Sequence, residues 1–498
     1  MSAYAELEAR FARLSALSEA AGVLHWDMSV MMPEGGSQAR AEQLAALKVT
    51  THELLIDPRI GEWLDRASGD RELNDWQKAN LREMRRAWIS ATAIPADLVA
   101  ALSKACSACE TIWRKARPAA DFKLLLPSLE EVLRLTREKA RARGAKLGLS
   151  PYDALLDQFE PGARAERIDG LFEGLGKFLL GFVERALAAE AARAKPAPLE
   201  GPFPADRQRA LGRKLMAALG FDFAHGRLDE SAHPFSGGVP DDVRITTRYD
   251  EADCTRGLMG ILHETGHALY ERGLPREWRR QPVGEARGMA LHESQSLLME
   301  MQACRSSAFV EYLAPLLREA FGGSGPAWSA GNIHAVYTRV ERGYIRVDAD
   351  EVTYPAHVIL RYRLERALIA GELKLADLPA AWNQGMRELL GIVPPDDRLG
   401  CLQDIHWPDG AWGYFPTYTL GALAAAQLFA AARKADPEIE PGIARGDFRP
   451  LLAWLRTNVH EKGALLTTDE ILTRATGSAL SDAAFKAHLK ARYLDGEG

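Results

Sequence analysis

Residues 263–267 read His-Glu-Thr-Gly-His, two imidazoles four positions apart with a carboxylate directly after the first. On an α-helix a step of four residues turns the chain through about 400°, so His263 and His267 project from one face, one turn apart. That spacing lets two ring nitrogens close on a single metal ion, for which zinc is the usual occupant. Glu264 projects along an adjacent line, where it can take a proton from metal-activated water without being a ligand. From Leu258 to Tyr270 Glu264 is the sole carboxylate, and neither Lys nor Arg occurs. A helix so apolar is buried, and a buried carboxylate needs a partner or a task. Two core histidines beside a hydrogen-bonded glutamate form the plainer alternative.

A catalytic zinc site takes three protein ligands and leaves one position for water. The run Gly288–Met299 repeats the apolar pattern, with Glu293 as its only charged residue. Glu293 is therefore the preferred third ligand, ahead of Glu285 and Glu300, which read as more exposed. His292 is its rival: neighbours on a helix point about 100° apart, so only one of the two can face the ion well. The chemistry such a set performs is hydrolysis, with water deprotonated by Glu264 and the proton handed to the leaving amine. A nearby donor then helps to stabilise the tetrahedral oxyanion.

The elements that must carry these residues are mostly helices. Amphipathic periodicity marks Glu6–Ala21, Ala39–Leu55, Asn74–Trp88, Leu129–Leu147, Arg167–Ala192 and Leu451–His460. Ala, Leu, Glu, Arg and Lys fill these runs, and Ser128 followed by Glu131 suggests a capping box at the start of the fourth. Val243–Tyr249 departs from the pattern: it is β-branched, alternating, and preceded by Gly237, Gly238 and Pro240. It reads as a strand, whose edge could hold an extended peptide, with a new helix starting near Cys254. No stretch of the 498 residues resembles a linker. One catalytic domain, 1–498, is expected, with helices of about 1–95 covering a groove and residues 233–420 forming the site.

Hydrophobic residues make up 47% of the chain and charged residues 26%, ample for a large core. A net charge of −6 gives no reason to expect nucleic acid or an anionic membrane as partner. The most apolar run, Tyr418–Ala432, is too short and Ala-rich for a membrane span. Met1–Leu14 reads as a charged helix rather than a secretion signal, so a cytoplasmic protein is expected. Five cysteines, an odd number, argue against a disulfide framework, and Cys106 and Cys109 read as reduced and structural.

Taken together, several blocks resemble the thermostable carboxypeptidase (carboxypeptidase Taq) family of zinc metallocarboxypeptidases over nearly the whole length. They are His-Glu-Thr-Gly-His at 263–267, His-Pro-Phe at 233–235, Asp242, Arg244 and Thr246, and His292-Glu293-Ser294-Gln295. Ile345, Arg346, Asp348 and Asp350 follow, then Gly400, Gln403, Asp404, His406 and Trp407. Trp26, Asp27, Met32, Pro33, Arg40 and Gln43 look like the family's opening helices. The resemblance implies a mainly α fold with a deep groove and a small β-sheet, shaped like neurolysin and angiotensin-converting enzyme. It also implies release of C-terminal amino acids with broad specificity, a cytoplasmic homodimer, zinc or cobalt as the metal, and Glu293 as third ligand.

An exopeptidase needs a cation for the free C-terminal carboxylate, and the planar fork of arginine suits it. Arg346 is the first choice, as the family's pattern suggests; an ordinary ion pair with Asp348, Asp350 or Glu351 is the alternative. Tyr414, Tyr418 and His406 are candidate donors to the oxyanion or the substrate carboxylate. His233 and Arg244 are candidates to shape the groove, although Arg244 could simply pair with Asp242. Trp26 reads as core packing and His357 as a possible cleft residue. An oligoendopeptidase or dipeptidyl carboxypeptidase on the same framework competes within enzymes, and a zinc-stabilised binding protein competes outside them.

Overall fold

The computed structural model describes residues 2–231 and 234–495. The chain opens with the helices Ala3–Val30, Ser37–Leu55, Pro58–Ser68 and Asp75–Thr92. Each of these except Ser37–Leu55 starts on a side chain that accepts a free first-turn amide: Ser2, Asp57 and Asn74, the last in a capping box with Gln77. Their apolar faces form a cluster of their own from Tyr4, Leu7, Phe11, Leu14, Ile60, Leu64, Leu81 and Met84. Ser37–Leu55 buries no residue and lies against the first helix, pinned by Arg40 to Asp27 at 2.7 Å.

The main core runs from Cys109 to Tyr493 and collects apolar faces of most of the later helices. The apolar run 418–432 becomes the buried helix Pro416–Ala435, and among the described residues no single helix is long and apolar enough to cross a membrane. The fourth expected run starts earlier than its pattern suggests. The helix is Phe122–Leu147, capped by Asp121 onto the Leu124 amide at 3.1 Å, with Pro127 inside it. Ser128 caps nothing; its hydroxyl donates to the Leu125 carbonyl at 2.8 Å. Beside it Cys109 is buried, and burial pushes the Cys106 thiol up to about 11, so neither is a reactive thiol.

Among the described residues the strands form one small sheet: β1 (Gly226–Glu230), β2 (Ser236–Val239) and β3 (Asp242–Thr247), in the order β1-β3-β2. β1 runs parallel to β3, with Gly226 opposite Val243, and β2 runs antiparallel, with Val239 opposite Asp242. The strand expected at 243–249 is thus the central one, not an edge. Both of its ladders are taken, and the edges belong to Gly-Arg-Leu-Asp-Glu and Ser-Gly-Gly-Val, segments without the β-branched alternation that marks β3. Gly238 has φ +85°, and a Cβ there would lie 2.1 Å from the Asp242 carbonyl oxygen, so the β2–β3 turn requires glycine. Val243 and Ile245 pack with Ile261 and Ala268, which seats the sheet against the flank of the helix that bears the His-Glu-Thr-Gly-His motif.

Candidate active site

That helix is Cys254–Gly273, started by the Asp253 carboxylate on the Thr255 amide at 2.9 Å. Its face meets the helix Met289–Leu297 at Gly266, where a Cβ would sit 2.5 Å from the Gln295 oxygen and 2.6 Å from the Ser296 Cα. On its other side Met289–Leu297 meets Pro416–Ala435 at Gly421, whose absent Cβ would lie 2.8 Å from the Glu293 Cβ. Two glycines therefore let three helices approach closely enough to press Glu293 toward the two histidines. Ligand atoms of His263, His267 and Glu293 all lie within 4.8 Å of one another. His267 Nε2 stands 3.4 Å from Glu293 Oε2.

The electrostatics suit a cation. Burial pushes His267 down to about 4, so its ring is neutral near pH 7 and offers a lone pair. Burial opposes charge on Glu293 too, but the neighbouring imidazoles outweigh it and hold its carboxyl below the ordinary range. Burial likewise opposes protonation of His263, yet Glu300, Glu293 and Glu264 overcome it and hold its pKa up at about 10. Glu264 is pushed up to about 7, first by burial and then by Glu293, against the pull of His263. Three carboxylates around two imidazoles leave an excess of negative charge, and the donor set of two nitrogens and an oxygen fits a divalent ion.

Each histidine's other nitrogen is engaged. His263 Nδ1 lies 2.9 Å from Glu300 Oε2, and Glu300 is paired on its far side with Arg305. Glu300 is half-buried and more exposed than Glu293, as the sequence suggests; it sits in a π-helical turn, Leu298–Ala303, and Arg305 and His263 hold its carboxyl at about 2 against its burial. His267 Nδ1 lies 2.7 Å from His292 Nδ1, and His292 Nε2 lies 2.8 Å from Glu271 Oε1. His292, the rival ligand, thus stands behind His267 rather than beside it. Glu285 is exposed and lines a cavity of about 640 Å³ on the Glu271 side.

Arg346 opens a 3₁₀ turn, Arg346–Asp348, and is 5% exposed. Its ion pair is neither of the two aspartates nor the glutamate near it in sequence. Asp404 takes its Nε and Nη2 at 3.1 and 3.0 Å, and Gln403 accepts from its amide at 2.8 Å. Arg361 Nε donates to the other Asp404 oxygen at 2.6 Å, so one carboxylate serves two arginines. Arg346 Nη1 remains, 3.4 Å from the Tyr354 hydroxyl, with the guanidinium over the Tyr418 ring at 4.6 Å. Tyr418 accepts or donates to His406 Nε2 at 3.0 Å, and Tyr414 packs edge-on against Tyr418 at 5.2 Å. Burial raises the phenols of Tyr354, Tyr414 and Tyr418, and the charges of both Glu293 and Arg346 act on all three. Those rings therefore bridge the space between the His263–His267–Glu293 cluster and Arg346. Tyr354 was not singled out in the sequence; only its place shortly after the Arg346 block could have pointed to it.

The remaining sequence candidates divide. Arg244 pairs with Asp242 along β3, Nε to Oδ2 at 3.0 Å, and its guanidinium covers the Trp26 ring at 4.5 Å while Arg227 covers it at 4.9 Å. Trp26 is buried, so this stack ties the first helix to the sheet. His357 is fully buried and pushed down to about 3 by burial, which makes it interior rather than cleft. His233 lies outside the described residues.

A mainly helical fold that converges two histidines and a glutamate beside a second buried glutamate defines a metallohydrolase. Residues 6–493 match the family described as carboxypeptidase Taq (M32) metallopeptidase, and the chain belongs to it. It is 43% identical over 480 residues to thermostable carboxypeptidase 1 of Thermus thermophilus, covering 94% of each chain. It is 35% identical over 493 residues to thermostable carboxypeptidase 1 of Pyrococcus furiosus, covering 98% of each. Metallocarboxypeptidase 1 of Trypanosoma cruzi superposes with a TM-score of 0.97 at 40% identity, over 99% of both chains. The M32 carboxypeptidase of Deinococcus radiodurans superposes with a TM-score of 0.93 at 35% identity, again over 99% of both. This protein is accordingly a metallocarboxypeptidase, an enzyme that hydrolyses peptides from the C-terminus with a divalent metal.

Proposed function

We propose that His263, His267 and Glu293 hold the catalytic metal, zinc in the first instance and cobalt as a competent substitute, and that Glu264 is the base. The observation that carries this reading is the convergence of those three donors within 4.8 Å, with Glu264 on the same helix and largely buried. A divalent ion at such a site polarises a peptide carbonyl and makes water acidic enough to act near neutral pH. Glu264, raised toward neutrality by burial, accepts a proton from water and returns it to the leaving amine. Arg346 receives the substrate's terminal carboxylate. Asp404 occupies its Nε–Nη2 edge, so the contact falls to the Nη1 end, with Tyr354 and Tyr418 flanking it. Tyr414 and His406 complete that wall. Arg244, on β3, belongs to the sheet side of the groove, where the body of the peptide lies; the family's pattern suggests a part in shaping the groove for His233 as well. Broad side-chain preference, a homodimer and a cytoplasmic setting complete the reading.

The test compares a blocked dipeptide with its C-terminally amidated twin, using metal-stripped enzyme restored with zinc or cobalt, and Glu264→Gln alongside. Cleavage of the free acid alone, lost on stripping and lost in Glu264→Gln although that variant still binds metal, is the expected result. Cleavage of both peptides overturns the role given to Arg346 and favours an endopeptidase. Full activity of Glu264→Gln removes the base.

A further inference from the structure

The residue behind His263 is itself held from far along the chain. Glu300 lies in the π-helical turn Leu298–Ala303, in which the Cys304 amide reaches back to the Met299 carbonyl at 2.8 Å. Such turns are uncommon and gather at functional sites, and carbonyls at a helix end lack amide partners of their own. Here those carbonyls are met by Arg492. Its Nη1 donates to the Met301 oxygen at 2.5 Å and its Nη2 to the Gln302 oxygen at 3.2 Å. The side chain is 1% exposed and also donates to Glu351 Oε2 at 3.1 Å.

Glu351 is fully buried and gathers the rest of the C-terminal segment around the same turn. Its Oε1 contacts His488 Nε2 at 2.7 Å and accepts from the Gln302 side-chain amide at 3.0 Å, while its Oε2 accepts from the Tyr493 hydroxyl at 3.1 Å. Arg305, paired with Glu300, lies within the field of Glu351 and Tyr493 as well. The contacts thus run from Arg492 through the Met301 and Gln302 carbonyls into the π-turn that carries Glu300, and from Glu300 to His263.

We propose that His488, Arg492 and Tyr493 of the C-terminal segment form a positioning device for the metal site, in which Arg492 clamps the Met301 and Gln302 carbonyls and so fixes Glu300 against His263 Nδ1. This rests on the reading of His263 as a metal ligand. A carboxylate behind a ligating imidazole sets the ring's orientation and its basicity, so a slack π-turn lowers metal affinity even when every ligand is present. Arg492 suits the task because its fork reaches two carbonyls at once, which the single ammonium of lysine cannot do in the same geometry.

The test titrates metal-stripped enzyme with cobalt(II) alone, following the visible absorption of the bound ion and its release to a competing chelator. Arg492→Met is expected to weaken cobalt binding about 10- to 100-fold and to alter the absorption band, with Glu300→Gln shifting both in the same direction. Arg492→Lys keeps the charge beside Glu351 and is expected to fall in between; it decides the matter should Arg492→Met fail to fold. Lys490→Ala, exposed at the end of the preceding helix Ala483–Lys490, is the control expected to bind like the unaltered enzyme. Wild-type affinity and spectrum in folded Arg492→Lys, or in folded Arg492→Met, overturn the clamp. Unchanged cobalt binding in His263→Ala would instead sink the ligand assignment beneath it.

Discussion

A histidine gives a metal one nitrogen, and what the other nitrogen meets sets the ring's tautomer and hold. With Nε2 of His267 facing Glu293, its Nδ1 proton points at His292 Nδ1, which leaves the His292 Nε2 proton for Glu271. His292→Ala breaks that chain at its first link and is expected to weaken metal binding about 10- to 100-fold. Glu271→Ala removes only the second link and should cost less, an order that chelator competition will read directly. Arg346 is a different case, because its structural partner survives its loss: Asp404 keeps Arg361. Arg346→Met should therefore fold while losing one charge-assisted contact to the substrate carboxylate, worth about 1.5–3 kcal/mol. A drop in kcat/KM of about 10- to 100-fold on free-acid peptides follows, with discrimination against amidated peptides narrowed. Undiminished discrimination would show that another group reads the carboxylate.

At the scale of elements, the site depends on how closely helices approach. Gly421→Ala would place a methyl 2.8 Å from Glu293 Cβ and 3.1 Å from the Ala290 oxygen, on a helix that cannot yield without moving Glu293. A stability loss of about 1–3 kcal/mol in denaturant unfolding is expected, together with weaker metal binding. An overpacked helix that left metal binding intact would mean the strain is absorbed elsewhere. This scale also separates what was legible in the chain from what was not. That His263 and His267 share one helix face could be read because their spacing is local, and the pairing of Arg244 with Asp242 because a strand places i and i+2 on one side. The partner of Arg346 could not, since Asp404 lies 58 positions away and nearer carboxylates compete for the prediction. Glu300 is more exposed than Glu293, as its place just past the apolar run suggests, but its pairing behind His263 was not legible, since nothing local announces a π-turn. β1 and β2 carry no alternation of their own; they are strands because β3 offers them two ladders.

Across the whole molecule, buried carboxylates fall into two kinds, and their sum shapes how stability changes with pH. Glu351 has Arg492 and His488 beside it and is held down at about 2 despite its burial. It contributes stability at all pH values above its ordinary 4.5, lost only as pH falls through about 2. Among the described residues Glu365 has no such cation. It is fully buried, it accepts the Gly413 amide, and burial pushes its carboxyl from 4.5 up to about 8. Its folded form binds a proton that the unfolded chain releases at lower pH. Stability from this group is complete below about 4.5 and drains away as pH rises through about 8. Gly413 adjoins the 400–407 block that carries Gln403, Asp404 and His406, so the loss falls on the segment that braces Arg346. Glu365→Gln copies the neutral carboxyl in shape and cannot ionise. In denaturant titrations of metal-stripped protein, the variant should match the parent near pH 4.5 and exceed it increasingly toward pH 8, with the gap widening only in that window. Parallel profiles across the range would mean that Glu365 ionises in the folded chain as readily as in the unfolded one, and that the 400–415 segment is open to water.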